Sequence, residues 1–322
     1  MDPRLACLIH EYLDSIKSIV ALMNRSGIPV PYSRSSWMFA KIPSTGELDE
    51  GVRYQKHGAG CRVFFNGRIV DFDFGEDGEI DEIECFRLQR FASKDVVKFC
   101  FESHEEIRKC FEDAIKSGSL TNVDDLAFYM TGQPRLRATE VDCRLPGDLL
   151  PPEAQDVILK IYAHNFLPAD LMRRNYEKLD ARWERRGRLS NTDEVNMRIY
   201  LFTWLGFLFE ACKWFKKKNV RNLLRSERPI EFRELVEDVN LLISLFDRYE
   251  SNLKSFRNSV FHLPDSEVIR EYFHRDAGRI EWSNELHGRL EDFFSQYRVH
   301  CFAHYAINER KSELRSLVPS KK

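Results

Sequence analysis

Leu235, Val239, Leu242, Phe246, Tyr249, Leu253, Phe256 and Val260 follow one another at spacings of four, three, four, three, four, three and four, with no Gly or Pro between Pro229 and Pro264. A helix turns about once every 3.6 residues, so this alternation keeps all eight side chains on one stripe. The spacing predicts a single continuous helix over 231–262, packed by that seam inside a bundle. The segments around it follow the same logic: helical patterns occupy 152–165, 168–186, 193–218 and 283–310. The breaks carry Pro168, Gly187, Pro229 and Pro264. Residues 151–312 therefore read as an all-α helical bundle.

The first part of the chain reads differently. Leu5, Leu8, Tyr12, Ile16, Ile19 and Met23 define an amphipathic helix over 4–24. Strand-like alternation follows in Cys61–Phe65 and Arg68–Phe74, joined by Asn66-Gly67. That pair between apolar runs is a strong hairpin signal, because both central residues must take positive φ. Helices are predicted over 81–92, 103–117 and 122–130. Residues 1–145 are thus an α+β domain with a small antiparallel sheet. The chain loses periodicity around Leu145-Pro146-Gly147 and Pro151-Pro152, which marks the linker.

With 322 residues, two domains are expected. The charge divides unevenly between them. Residues 1–150 hold 19 Lys and Arg against 25 Asp and Glu, a net −6, while residues 151–322 hold 30 against 26, a net +4. The basic half admits a polyanion partner without demanding one. The N-terminus carries no export-signal pattern, and the longest uncharged apolar run, Ile199–Phe209, is too short to span a bilayer. The expectation is a cytoplasmic protein without a membrane partner. Its eight scattered cysteines are read as reduced, small hydrophobes, and no cofactor or metal is implied.

At the end of the long seam stands Arg257-Asn258-Ser259-Val260-Phe261-His262. At 100° per residue, Arg257, Asn258, Phe261 and His262 face away from the seam, and Asn258 and His262 are surface neighbours. An Arg, a polar residue directly after it and a His five positions on, late in an all-α domain, resemble the Arg-x4–6-His motif of HEPN-domain ribonucleases. The looser form with five intervening residues also occurs at Arg4…His10 and Arg298…His304, so the weight falls on Asn258, the helix end and the helical context.

The resemblance covers residues 152–310. It implies a homodimer through the helical domain, with two motifs lining one cleft, and metal-independent RNA cleavage that leaves a 2′,3′-cyclic phosphate. Arg257 and His262 would be catalytic, with Asn258 orienting His262. Such an imidazole titrates near neutrality, and the guanidinium is a permanent charge for a phosphorane. Glu210 stands where the family often carries an acid on the second helix; its bland reading is a rim residue paired with a Lys. Lys213, Lys217 and Arg221, in the basic run from Lys213 to Arg228, are candidate phosphate contacts, or else a solvated helix end. His300 and His304 lack an evident third metal ligand.

In the first domain, His57-Gly58-Ala59-Gly60, Val70-Asp71-Phe72-Asp73-Phe74-Gly75 and Arg87-Leu88-Gln89-Arg90-Phe91-Ala92 resemble an uncharacterised bacterial family with H-G-x-G, V-D-F-D-F-G and R-L-x-x-F-A segments. Cys85-Phe86 stands where that family carries a Trp-containing segment. No activity follows from this likeness. Asp71 and Asp73 share a strand face near His57, fitting either acid–base or cation chemistry, or pairing with Arg62 or Arg68.

The leading expectation is an RNA endonuclease effector of bacterial toxin or antiphage-defence type, with the first domain as sensor or restraint and an antitoxin or regulatory partner. The alternative is a non-catalytic dimeric interaction or sensor protein built on an inactive HEPN-like bundle.

Overall fold

The computed structural model describes residues 1–80, 83–93, 96–124, 127–262, 266–273 and 278–317. The chain divides into two compact units, Met1–Pro146 with Tyr305–Lys322, and Gly147–His304.

The first unit opens with α1 (Pro3–Arg25) and α2 (Arg34–Phe39), then β1 (Thr45–Glu47), β2 (Arg53–His57), β3 (Gly60–Phe65) and β4 (Arg68–Asp73). These strands form one antiparallel sheet in the order β1-β2-β3-β4. Asn66 and Gly67 take φ of 50° and 76°, as the hairpin requires. One sheet face buries Tyr54, Cys61, Val63, Val70 and Phe72 in a core shared with Leu5, Leu8, Tyr12 and Ile16 of α1. Then come β5 (Glu79–Ile80), α3 (Cys85–Ala92), α4 (His104–Lys116), β6 (Leu120–Asp124), β7 (Ala127–Met130) and β8 (Leu136–Arg137).

Two expectations change here. The helix expected over 81–92 begins only at Cys85, because Ile83 is held in a β-bridge to Phe128; residues 81–82 lie outside the described residues. The helix expected over 122–130 is instead the β6–β7 hairpin, with Leu120 opposite Met130 and Thr121 opposite Tyr129. Thr121, Phe128 and Tyr129 are residue types that suit a half-buried pleat, and cross-strand pairing overrides a short helical spacing.

The second unit is helical. It contains α5 (Val157–Ile161), α6 (Leu167–Arg186), α7 (Asn191–Lys217), α8 (Val220–Ser226), α9 (Val236–Asp247), α10 (Glu250–Phe261), α11 (Ser266–Tyr272) and most of α12 (Arg279–Ile307). Pro168 does not break the chain as expected. A π-turn at Tyr162–Phe166 joins α5 to α6, and Pro168 sits in the first turn of α6. The widened turn tolerates a residue that has no N–H and crowds the preceding carbonyl.

The helix expected over 231–262 is divided. A 3₁₀ segment at Ile230–Leu235 leads into α9, and Tyr249 leaves helical geometry at φ −133°, ψ 22° before α10 begins. In an unbroken helix the Tyr249 N–H would bond to the Leu245 carbonyl. That carbonyl accepts from the Trp282 indole N–H at 2.8 Å, and Tyr249 N–H turns to Phe246 O at 3.3 Å. The apolar seam survives the break: Leu235, Val239, Leu242, Phe246, Leu253 and Phe256 are all buried. Phe256 anchors α10, with its ring 4.6 Å from Tyr272 and 5.4 Å from Phe202. The expected stop at Leu263-Pro264 lies outside the described residues, and α10 ends at Phe261.

The expected domain limit at residue 312 also moves. Residues Tyr305–Lys322 cluster with the first unit, where α13 (Lys311–Leu317) meets α1. Lys311 pairs with Asp49 at 3.0 Å, and Ser312 bonds to Asn24. Among the described residues, no helix is long and apolar enough to cross a membrane.

Inside the helical unit, fully buried His287 accepts from the Trp204 indole at 3.1 Å and packs against Phe166. Burial first, then the charge of Arg173, pushes its imidazole down to about 4 against the opposing pull of Asp170. The unfolded chain takes up that proton near pH 6.5, before the folded one does. The His287 contribution to stability is therefore complete above about pH 6.5 and is lost as pH falls toward about 4. Thermal melts across this range will show that decline in wild type, and a His287→Gln variant will lack this component of the slope.

Candidate functional site

The last turn of α10 presents its polar side chains away from the Phe256 anchor. Arg257 is the hub of the group. Its Nη1 donates to His262 Nε2 at 2.7 Å and to Asn258 Oδ1 at 3.1 Å, while Nη2 reaches Glu210 Oε1 on α7 at 3.1 Å. The second Glu210 oxygen accepts from Lys213 at 3.0 Å. Backbone geometry completes the group, because His262 N–H closes the final turn on Asn258 O at 2.9 Å. Asn258 and His262 are exposed and Arg257 is half-buried.

A guanidinium only donates, so His262 accepts at Nε2 and carries its proton on Nδ1. This corrects one expectation: Asn258 does not orient His262. It holds Arg257, and Arg257 fixes the imidazole. Glu210, Lys213, Arg257, Asn258 and His262 therefore come together, from two helices brought close by Gly206. A Cβ at Gly206 would strike the Phe261 ring, so only glycine lets Phe261 lie against α7 beside the motif.

Lys217 and Arg221 are not part of this group. Lys217 stands over the Trp214 ring at 4.6 Å, and Arg221 is exposed on α8. Two further members of the expected basic strip are taken up by structure, while Lys218 and Arg225 are exposed. Lys216 pairs with Asp247 at 2.9 Å and Glu250 at 2.7 Å. Arg228 is buried, donating from Nε to Tyr297 at 2.9 Å and facing Asp156 at 3.4 Å. His300 and His304 go to separate carboxylates, Glu234 at 2.7 Å and Asp148 at 2.8 Å.

The first unit holds a second group that the sequence marked only in part. Asp71 is 4% exposed. Its Oδ1 faces His57 Nε2 at 2.9 Å, and its Oδ2 accepts from Arg62 Nε and Arg90 Nη1, each at 2.9 Å. Burial pushes the carboxyl up, but the bonds from His57 and Arg62, with the Arg87 charge, outweigh it and hold it down at about 2. Asp73 pairs with Arg87 at 2.8 Å and lies 3.9 Å from His57 Nδ1. Of the two arginines expected to pair here, Arg62 does; Arg68 pairs with Glu11 at 2.8 Å. Gly60 stands opposite Asp73 in the register, and a Cβ there would collide with Asp73 and the Phe72 carbonyl. The role of Arg90 was not legible: it falls on an unspecified position of the R-L-x-x-F-A segment, and helix spacing gives no sign that it reaches across to β4.

Residues 5–130 match a family described as a domain of unknown function, DUF6896. That span contains the whole Asp71 group. No curated protein matches the chain. No solved structure matches it.

Two measurements check these sites. Nitrogen-15 NMR of His262 will show a protonated Nδ1 in wild type and a shift toward the Nε2–H tautomer in Arg257→Ala. Asp71→Asn removes the buried anion that Arg62 and Arg90 share and, because both are about a third exposed, will cost about 1.5–3 kcal/mol in urea unfolding.

Proposed function

We propose that the protein is a metal-independent RNA endonuclease of the HEPN type, acting as a toxin or antiphage-defence effector through a composite site in a homodimer. The observation that carries this reading is the Arg257–His262 contact at 2.7 Å, displayed at an exposed helix end with Asn258 and Glu210 around it. Cleavage by the RNA's own 2′-OH needs a base for that proton, an acid for the leaving 5′-oxygen and positive charge on the phosphate. One His262 serves as base or acid, and a second copy supplies the other. Arg257 masks His262 Nε2 in the free chain. A substrate phosphate competes for the guanidinium, and its arrival frees Nε2 while placing the charge on the phosphorane. Glu210 and Asn258 hold the fork meanwhile.

The surroundings favour a second copy. Val195, Ile199, Phe202 and Gly206 follow at spacings of four, three and four on α7, leading to Glu210 on the same stripe. Val195 and Ile199 are each 51% exposed, and Phe261 beside Gly206 is 50% exposed. Apolar side chains flanking a half-built site are suited to burial in a dimer.

Expression of wild type in bacteria will arrest growth and yield RNA fragments ending in 2′,3′-cyclic phosphate. Arg257→Ala and His262→Ala will each lower cleavage by at least about 100-fold, the usual worth of one positioned acid–base group. Ile199→Asp will give monomers and lose cleavage with Arg257 and His262 intact. Equal growth and intact RNA in wild type and variants would leave the non-catalytic dimeric interaction protein as the reading, with Arg257 and His262 satisfying each other.

A further inference from the structure

Strand alternation turns Arg53, Gln55 and His57 of β2, Arg62 and Phe64 of β3, and Ile69 and Asp71 of β4 away from the first unit's core. Part of this face is open: Arg53, Gln55 and Phe64 are exposed, while Asp71 is covered by the arginines around it. At its centre two guanidiniums share one buried carboxylate oxygen. Arg62 spends Nε and Nη2 on Asp71 Oδ2, and Arg90 spends Nη1 there. Arg62 Nη1 and Arg90 Nε and Nη2 have no acceptor among the described residues. Their side chains are 34% and 37% exposed. Asp71 fixes both forks, so the remaining N–H donors of Arg62 and Arg90 are preset and partly exposed. Deeper in the group, buried Arg87 Nη1 lacks an acceptor and buried Asp73 Oδ1 lacks a donor among the described residues. Arg87 is held by Asp73 at 2.8 Å and Glu84 at 2.7 Å, so the donors an oxyanion's acceptors match are the outer ones of Arg62 and Arg90.

One register step along, the Phe64–Ile69 pair floors a cavity of about 310 Å³ walled by Arg53, Phe91 and Ser93. The Arg53 guanidinium lies 5.8 Å from the Phe64 ring centroid. An exposed aromatic surface beside a cation suits a flat, electron-rich heterocycle. Arg62 and Phe64 are two residues apart on one strand, about 7 Å, so a ring on Phe64 leaves its attached phosphate within reach of the paired arginines. We propose that this sheet face binds a nucleotide, with the phosphate on Arg62 and Arg90 and the base against Phe64. The ligand is either a free mononucleotide or the 5′-phosphorylated end of an RNA strand. The site belongs to the first unit, Arg257 and His262 to the second, and the proposal does not depend on the nuclease reading.

The test uses the full chain carrying Arg257→Ala and His262→Ala, so that no probe is consumed. Calorimetric titration with AMP, GMP, inorganic phosphate, phosphotyrosine and an octaribonucleotide with and without its 5′-phosphate separates the sources. The expected result is saturable binding of a nucleotide or of the 5′-phosphorylated strand, weakened at least tenfold by Arg90→Gln. Phe64→Leu, at an exposed position, should weaken nucleotide at least fivefold and leave inorganic phosphate unchanged. Tighter binding of the 5′-phosphorylated strand than of AMP and GMP assigns the strand end; the reverse assigns the free nucleotide. No saturable nucleotide or strand binding by folded protein, unchanged affinity in both variants, or tighter binding of phosphotyrosine than of any nucleotide would overturn the proposal.

Discussion

The arrangement of the helical unit turns on one hydrogen bond, from the Trp282 indole to the Leu245 carbonyl. By occupying the acceptor that Tyr249 would use, α12 cuts the apolar seam from Leu235 to Val260 into α9 and α10. The break lets the seam change course without losing burial, so that Phe256 enters the aromatic cluster of Phe202, Tyr272 and Phe273. With Phe256 fixed at the centre of α10, the remaining turn has no freedom to place Arg257 elsewhere. The polar group at the helix end is thus held by an apolar anchor one residue before it. A guanidinium and an imidazole positioned by their own mutual hydrogen bonds alone would gain little from exposed contacts.

Much of the fold was legible because burial repeats with the period of the local structure. The α1 stripe, the Asn66-Gly67 hairpin and the long α7 helix all carry their packing instructions within a few residues. The failures have a common cause. Nothing near Tyr249 in sequence announces that an indole 33 positions later will capture a carbonyl, and nothing near Phe128 announces its bridge to Ile83. Such contacts are long-range and override local propensity. The same holds for the site. Arg257, Asn258 and His262 were visible as a spacing, and Glu210 as an acid in an apolar helix. That Asn258 serves the arginine and not the histidine depends on side-chain geometry that spacing does not encode. In the basic run from Lys213, spacing did not show that Lys216 and Arg228 are spent on carboxylates of other segments while Arg221 and Arg225 stay exposed.

The two polar groups use the same residue types in contrasting ways. At Arg257 the positive charge is half-buried and its carboxylate partner, Glu210, is shared with a lysine. At Asp71 the carboxylate is the buried member and the cations sit around its rim. A buried anion stays ionised only when its hydrogen bonds are complete, and the low Asp71 pKa reflects that completeness. In the first group one cation gathers its partners around it; in the second, one buried anion gathers the cations.

Gly206 gives the clearest sense of how little latitude the helical unit allows around its motif. The position carries no chemistry, yet the ring of Phe261 occupies the space where any side chain would begin, and Phe261 is the residue immediately before His262. A single added methyl group would press on the half-exposed ring of Phe261, and any displacement would begin one peptide unit from the imidazole. A variant library at this site would thus read out as a steric ruler, measuring how far the ring can swing aside before the last turn of α10 is disturbed.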